Sequence, residues 1–207
     1  GALVLINFLI ALLAMLLVVS ARSSYERSAL TGYIDQYLKA LIANNASAVP
    51  LAGSVKITLN GDIRSLAGTF WENAESIAYR FDIVNTRRGD TGTEAVIRNS
   101  DGSLTMFMLR LKIEGDKITE IEAIKCNKGE ADGIWDAGNL KEVSPSYLLS
   151  IREVERDSYY DLIGTAESYW RAFQTNGSSD YRPARLLKEK KRFENGMQTT
   201  GMIKDGQ

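Results

Sequence analysis

The sequence predicts an α+β fold in which helices pack on a curved antiparallel sheet, followed by a truncated second copy of its opening. Three observations carry that expectation. Two apolar-rich runs, LTMFMLRLKI and ITEIEAIK, flank the charged turn EGDK between Leu104 and Lys125, the pattern of a long β-hairpin. On either side of it lie stretches with apolar residues at helical spacing, Ser24 to Ala43 and Ser158 to Thr175. A group of residues near the start of the folded part also recurs, in the same order, near the end of the chain.

Ala2 to Ala21 is apolar throughout apart from Asn7 and Ser20, and the polar run RSSYER follows at once. It reads as an export signal cleaved after Ala21, or as a membrane anchor that stays in place. Either way the rest of the protein is expected to be secreted or extracytoplasmic, with the membrane a partner only through residues 2–21. The organisation expected is a leader or anchor at 1–21, a complete unit at 24–127, a linker at 128–157 and the start of a second, truncated unit at 158–207.

Within the complete unit the beat of Leu30, Tyr33, Ile34, Tyr37, Leu38, Leu41 and Ile42 makes an amphipathic helix, ended by Asn44, Asn45 and Ser47. A short strand over Val55 to Leu59 closes on Asn60-Gly61, and Ser65 to Ile77 reads as a second helix carrying Leu66, Phe70 and Trp71. Ala78 to Val84 alternates as a strand, with Tyr79, Phe81 and Ile83 on the core side and Arg80, Asp82 and Val84 on the convex side. Thr93 to Arg98 is the next strand. In the hairpin itself Thr105, Phe107, Leu109, Leu111 and Ile113 share one face. The beat of its second strand slips between Ile118 and Ile121, which predicts a β-bulge near Thr119 and Glu120. Asn127 to Glu142 is irregular, with Trp135 as its anchor.

The composition excludes several classes of function. The formal charge of −1, with both signs interspersed, leaves no basic footprint for nucleic acid. There is no histidine, which removes Ser/His/Asp and Cys/His catalysis and any His-ligated metal from these residues. Cys126 stands alone and reads as a half-buried structural thiol. Gly-rich phosphate loops, EF-hands and HExxH patterns are absent as well, so no metal and no cofactor is expected.

The repeat sets YIDQYLKALIANNAS and VKITLNGDIRSLAG beside TAESYWRAFQTNGSS and KKRFENGMQTTG. Tyr37 pairs with Tyr169, Ala40 with Ala172, Asn44 with Asn176 and, after a small difference in length, Asn60-Gly61 with Asn195-Gly196. This order of elements resembles the cone-shaped, cystatin-like fold of nuclear-transport-factor-2-like proteins, a superfamily that includes ketosteroid isomerase, scytalone dehydratase, limonene epoxide hydrolase and polyketide cyclases of the SnoaL kind. The phrases LRLKIEGDKITEIEAI and RFENGMQTTG are similar, more narrowly, to a domain of unknown function found in tandem in secreted fungal and bacterial proteins. The resemblance covers about Ser24 to Gly201 and implies a pocket between the helices and the concave sheet, suited to a small hydrophobic or polyketide-like molecule. Apolar residues on the other face of the hairpin, Leu104, Met106 and Met108, lead to the separate expectation of sheet-to-sheet packing through the convex faces, with a second copy or in a homodimer.

Tyr33, Tyr37, Trp71 and Phe107 are the expected lining of that pocket. Tyr33 and Tyr37 are four apart on one helix face, as an oxyanion-stabilising pair requires, although such tyrosines are more often core residues with a satisfied hydroxyl. An isomerase or lyase would need one of them to polarise a carbonyl while a carboxylate moves a proton. A non-catalytic assembly or surface-attachment module would instead fill the pocket with its own side chains. Asp82 and Arg110 are expected on the convex side as a cross-strand pair. A carboxylate within reach of a tyrosine hydroxyl would favour the enzyme, and a plugged cavity the module.

Overall fold

The computed structural model describes residues 25–66, 70–130, 133–174 and 192–200. The expected leader lies outside them, as does the stretch 175–191. The chain divides into two compact units, Gly1–Ala131 and Asp132–Gln207. Among the described residues no helix is long and apolar enough to cross a membrane.

In the first unit, helix α1 (Arg27–Ile42) buries Leu30, Ile34, Tyr37, Leu38 and Leu41, the face its periodicity defines. It ends because Asn44 turns left-handed at φ 47°, where an asparagine side chain tolerates the conformation, and Asn45 N–H returns to the Ala40 carbonyl at 2.9 Å. Strands β1 (Leu51–Leu59), β2 (Asp62–Ile63), β3 (Ala74–Asn85), β4 (Asp90–Asn99), β5 (Leu104–Glu114) and β6 (Lys117–Asn127) then form one sheet in the order β2-β1-β6-β5-β4-β3. From β3 to β6 it is an antiparallel meander, as expected. β1, however, pairs with β6 in parallel, so the sheet is mixed. The chain leaves β1 for the far edge at β3 and works back strand by strand, and β6 arrives running in the same sense.

The hairpin folds as its pattern predicts. Phe107, Leu109, Leu111 and Ile113 are all at most 2% exposed, and Gly115 takes the turn at φ 59°. Lys112 pairs with Glu120 while Ile113 pairs with Ile118, so Thr119 is the extra residue of a bulge at the expected place. That extra residue lets Ile118 and Ile121 both face the core, at 0% and 1% exposure.

Two expectations fail here. The second helix over Ser65 to Ile77 does not form: Phe70–Asn73 is a single 3₁₀ turn, and Ala74 already begins β3. Leu66 and Trp71 are buried as expected, but Ser76 and Ile77 pair with Arg98 and Ile97 of β4, and the ladder offered by that strand outweighs a local period carried by few apolar residues. The facing of β3 is also reversed. Ile77 pairs with Ile97 and Tyr79 with the next residue along β4, Val96, so Ala78 is a bulge and every residue after it changes sides. Arg80, Asp82 and Val84 therefore face α1, and Tyr79, Phe81 and Ile83 lie on the convex face.

In the second unit, helix α2 (Tyr159–Gln174) begins where Ser158 exchanges hydrogen bonds with Asp161. Strands β7 (Arg192–Glu194) and β8 (Met197–Thr200) form a hairpin on Asn195-Gly196, whose φ values of 47° and 82° match the 51° and 87° of Asn60-Gly61. The hairpin grips the segment before it: Asp136 N–H donates to the Asn195 carbonyl at 2.7 Å, and Asn195 Nδ2 to the Ile134 carbonyl at 2.9 Å. A Cβ on Gly196 would overlap the Asp136 carbonyl, so the approach requires glycine. Trp135, between those two residues, is half-buried.

Candidate functional site

The concave side of the first unit is where a pocket was expected, and around Tyr37 and Trp71 it is nearly full among the described residues. Tyr37, Trp71 and Phe107 are exposed by 1%, 2% and 0%, and the Tyr37 and Trp71 rings meet edge to face with centroids 5.2 Å apart. The cavity beside them, between Leu66, Ile57, Ile121 and Ala123, has a volume of about 10 Å³. A single water needs about 10–15 Å³, so this space admits no organic ligand. Its lining contains no carboxylate. Burial drives the Tyr37 hydroxyl well above the ordinary tyrosine range, opposed in part by its hydrogen bond with the Trp71 indole, so the group stays neutral and part of the core.

The structure thus brings Tyr37 and Trp71 together at this cavity and leaves Tyr33 and Phe107 out of its lining. Phe107 belongs to the central core cluster, and Tyr33 packs half-buried against that cluster. The Tyr33 hydroxyl is pushed up by burial and by the charges of Asp116 and Tyr25.

The polar group on the concave side is one the sequence assigned elsewhere. Asp82 accepts from Thr93 Oγ1 at 2.9 Å and from Arg80 Nε at 2.8 Å, and Arg80 reaches across to Asp35 of α1 at 2.6 Å. Burial works against the charged guanidinium, while the bonds to Asp82 and Asp35 hold it, so the Arg80 pKa lies above its ordinary value. Arg110, expected to pair with Asp82, is on the opposite face with Asp90 and Glu120, at 3.0 Å and 2.8 Å. Beside the Arg80 network runs an open groove of about 580 Å³, lined by Leu38, Ile42, Ala43 and Ile77, with Asp35, Lys39 and Arg80 as its polar groups. Sequence reasoning missed this groove because it turns on the bulge at Ala78. The available signal was the Asp35/Lys39 pair spaced four apart beside Leu38 and Ile42.

On the convex face Ile83, Met108 and Ile124 are exposed by 60%, 46% and 51%. They belong to two adjacent rows of residues that cross four strands, Phe81, Glu94, Met108 and Ile124 in one and Ile83, Gly92, Arg110 and Glu122 in the next. Ile83 leans over Gly92, where a Cβ would come within 3.0 Å of it. Glu94 sits in the apolar row, and burial raises its pKa. Cys126, also on this face, is a half-buried thiol held protonated by burial and by Glu130. No group of residues able to hold a metal is present among the described residues.

No protein-family model matches the chain, and no curated protein matches it significantly. Solved structures do. IdmH, a candidate polyketide cyclase from Streptomyces antibioticus, is 16% identical at a TM-score of 0.41, with 50% of this chain and 96% of that one covered. A candidate ketosteroid isomerase from Kribbella flavida is 9% identical at 0.39, covering 63% and 95%. An NTF2-like protein of unknown function from Shewanella baltica is 10% identical at 0.33, covering 49% and 94%. At these identities and TM-scores the chemistry of the similar proteins stays with them.

Proposed function

We propose that the first unit is a non-catalytic assembly module, closed on its concave side and docking a second copy of itself through the convex face of its sheet. The observation that carries this reading is the filled cavity: Tyr37 and Trp71 occupy the space a ligand would need, and the described residues that line it include no carboxylate. On the convex side the exposed Ile83, Met108 and Ile124 supply an apolar centre, and the Arg110 cluster with Asp90, Glu120 and Glu122 supplies a charged margin that fixes register. A second copy suits the face because a two-fold contact returns each row against itself, apolar centre on apolar centre. Sedimentation of the chain tests the proposal. A dimer that becomes a monomer in Met108→Glu with Ile124→Glu, at an unchanged melting temperature, supports it; a monomer at all concentrations overturns it.

The open groove favours a second reading, binding of a small hydrophobic molecule with an acidic end. Its volume lies within the range of about 300–1,000 Å³ usual for ligand sites, and its floor is apolar. Arg80 is committed to two carboxylates, so Lys39 is the cation that would meet the acid. A thermal-shift screen of amphipathic acids tests it: stabilisation lost on Lys39→Ala supports binding here, and no shift with any compound overturns it. The apolar run from Ala2 to Ala21 supports work outside the cytosol, which fractionation of cells carrying the tagged full chain would test.

A further inference from the structure

Helices α1 and α2 are both 16 residues long and stand at a constant offset of 132 positions, 27 to 159 and 42 to 174. At that offset the buried stripe of α1, Leu30, Ile34, Tyr37, Leu38 and Leu41, becomes Leu162, Ala166, Tyr169, Trp170 and Phe173. Gly32 becomes Gly164, and the charged pair Asp35 and Lys39 becomes Glu167 and Arg171, sign for sign. The environments differ. Leu30 and Leu38 are exposed by 0% and 3%, whereas Leu162 and Trp170 are exposed by 58% and 65%. The exchange of Ile34 and Leu38 for Ala166 and Trp170 trades a small residue for a large one at i and i+4, which keeps the volume of the stripe while moving its bulk by one turn.

We propose that α2 is the docking face for a second curved antiparallel sheet, one whose concave side is aliphatic and carries an arginine where Arg80 stands in the first unit. The exposed Leu162 and Trp170 supply the contact. Glu167, at the place from which Asp35 meets Arg80 at 2.6 Å, supplies the charge that selects the arginine. The sheet of the first unit is already covered by α1, so the occupant is another sheet and not that of a second copy. The matching Asn-Gly turns of the two hairpins support the same correspondence independently, since Asn60 grips the backbone of β6 at Lys125 as Asn195 grips Ile134.

The sheet of the first unit provides the test, because it is the kind of surface α2 is proposed to fit. In the full chain, residues 27–42 are replaced by YYDLIGTAESYWRAFQ, and in a control by the same residues with the apolar stripe moved two positions round the helix. Cooperative unfolding of the first chain and its loss in the control is the expected result. In the cooperative chain Arg80→Ala should lower the melting temperature by as much as it does in the wild type. Should the wholesale exchange be insoluble, the pair Ile34→Ala with Leu38→Trp decides: it should melt above Ile34→Ala alone. A chimera no more cooperative than its control, with a double variant no more stable than the single, overturns the proposal.

Discussion

The two faces of the β3 to β6 sheet are made by alternate residues of the same four strands, yet one is closed and the other stays open over part of its apolar surface. On the concave face Ile97, Phe107 and Ile121 are covered to within 1%. On the convex face Met108, next to Phe107 in sequence, is 46% exposed and Ile124, three residues on from Ile121, 51%. The difference teaches that apolar character alone does not close a face. The concave one closes because α1 and Trp71 lie across it and its polar residues are paired, Asp82 with Thr93 and Arg80. On the convex face the row of Tyr79, Val96 and Met106 is buried as well, but the neighbouring rows keep Ile83, Met108 and Ile124 exposed.

The sharpest way to break the comparison is to truncate one side chain on each face. Trp71→Ala should cost about 3–5 kcal/mol in urea denaturation, against at most about 0.5 kcal/mol for Ile83→Ala in the monomer. Equal losses would mean that the concave face is not the core. Thr93→Val takes from Asp82 one of its hydrogen-bond donors, and should cost about 1–3 kcal/mol by the same assay. Tyr37→Phe, which gives up the bond with the Trp71 indole, should cost about 0.5–1.5 kcal/mol and leave the fold intact by circular dichroism.

The smallest effect is one of pH. Burial holds the Glu94 pKa above the ordinary 4.5 in the folded chain, so the folded form binds this proton more tightly than the unfolded form. Its contribution to stability therefore falls as pH rises from about that value through the folded-state pKa, and is then constant. Glu94→Gln should remove this decline and leave the protein slightly more stable at neutral pH. A melting curve that keeps the same slope with pH in the variant would assign the dependence to another group.

Much of the fold was legible because it is written in local periods. The hairpin could be read from its alternation, the bulge at Thr119 from the single slipped beat between Ile118 and Ile121, and α1 and α2 from their stripes. Ser65 to Ile77 was misread for an equally physical reason: its few apolar residues fit a helical period, and nothing within it announces that Ala74 to Ile77 will be claimed by β4. The candidate site suffered most. Tyr37 and Trp71 were recognised as concave residues, but whether the space between them is a pocket or a plug depends on about 10 Å³ that no pattern of letters encodes.

By itself, the sequence determined the β5–β6 hairpin with its bulge, the two long helices with their apolar stripes and the correspondence between those helices, because each of these follows from spacing along the chain. The tertiary structure decided what spacing cannot. One unpaired residue at Ala78 sent Asp82 and Arg80 to the helix side and left Phe81 and Ile83 on the back of the sheet. The return of the chain from the far edge set β1 parallel to β6, and the meeting of Tyr37 with Trp71 filled the cone. Register and packing are matters of partners distant in sequence, and a shift of one residue or of one ring is enough to exchange a binding site for a core.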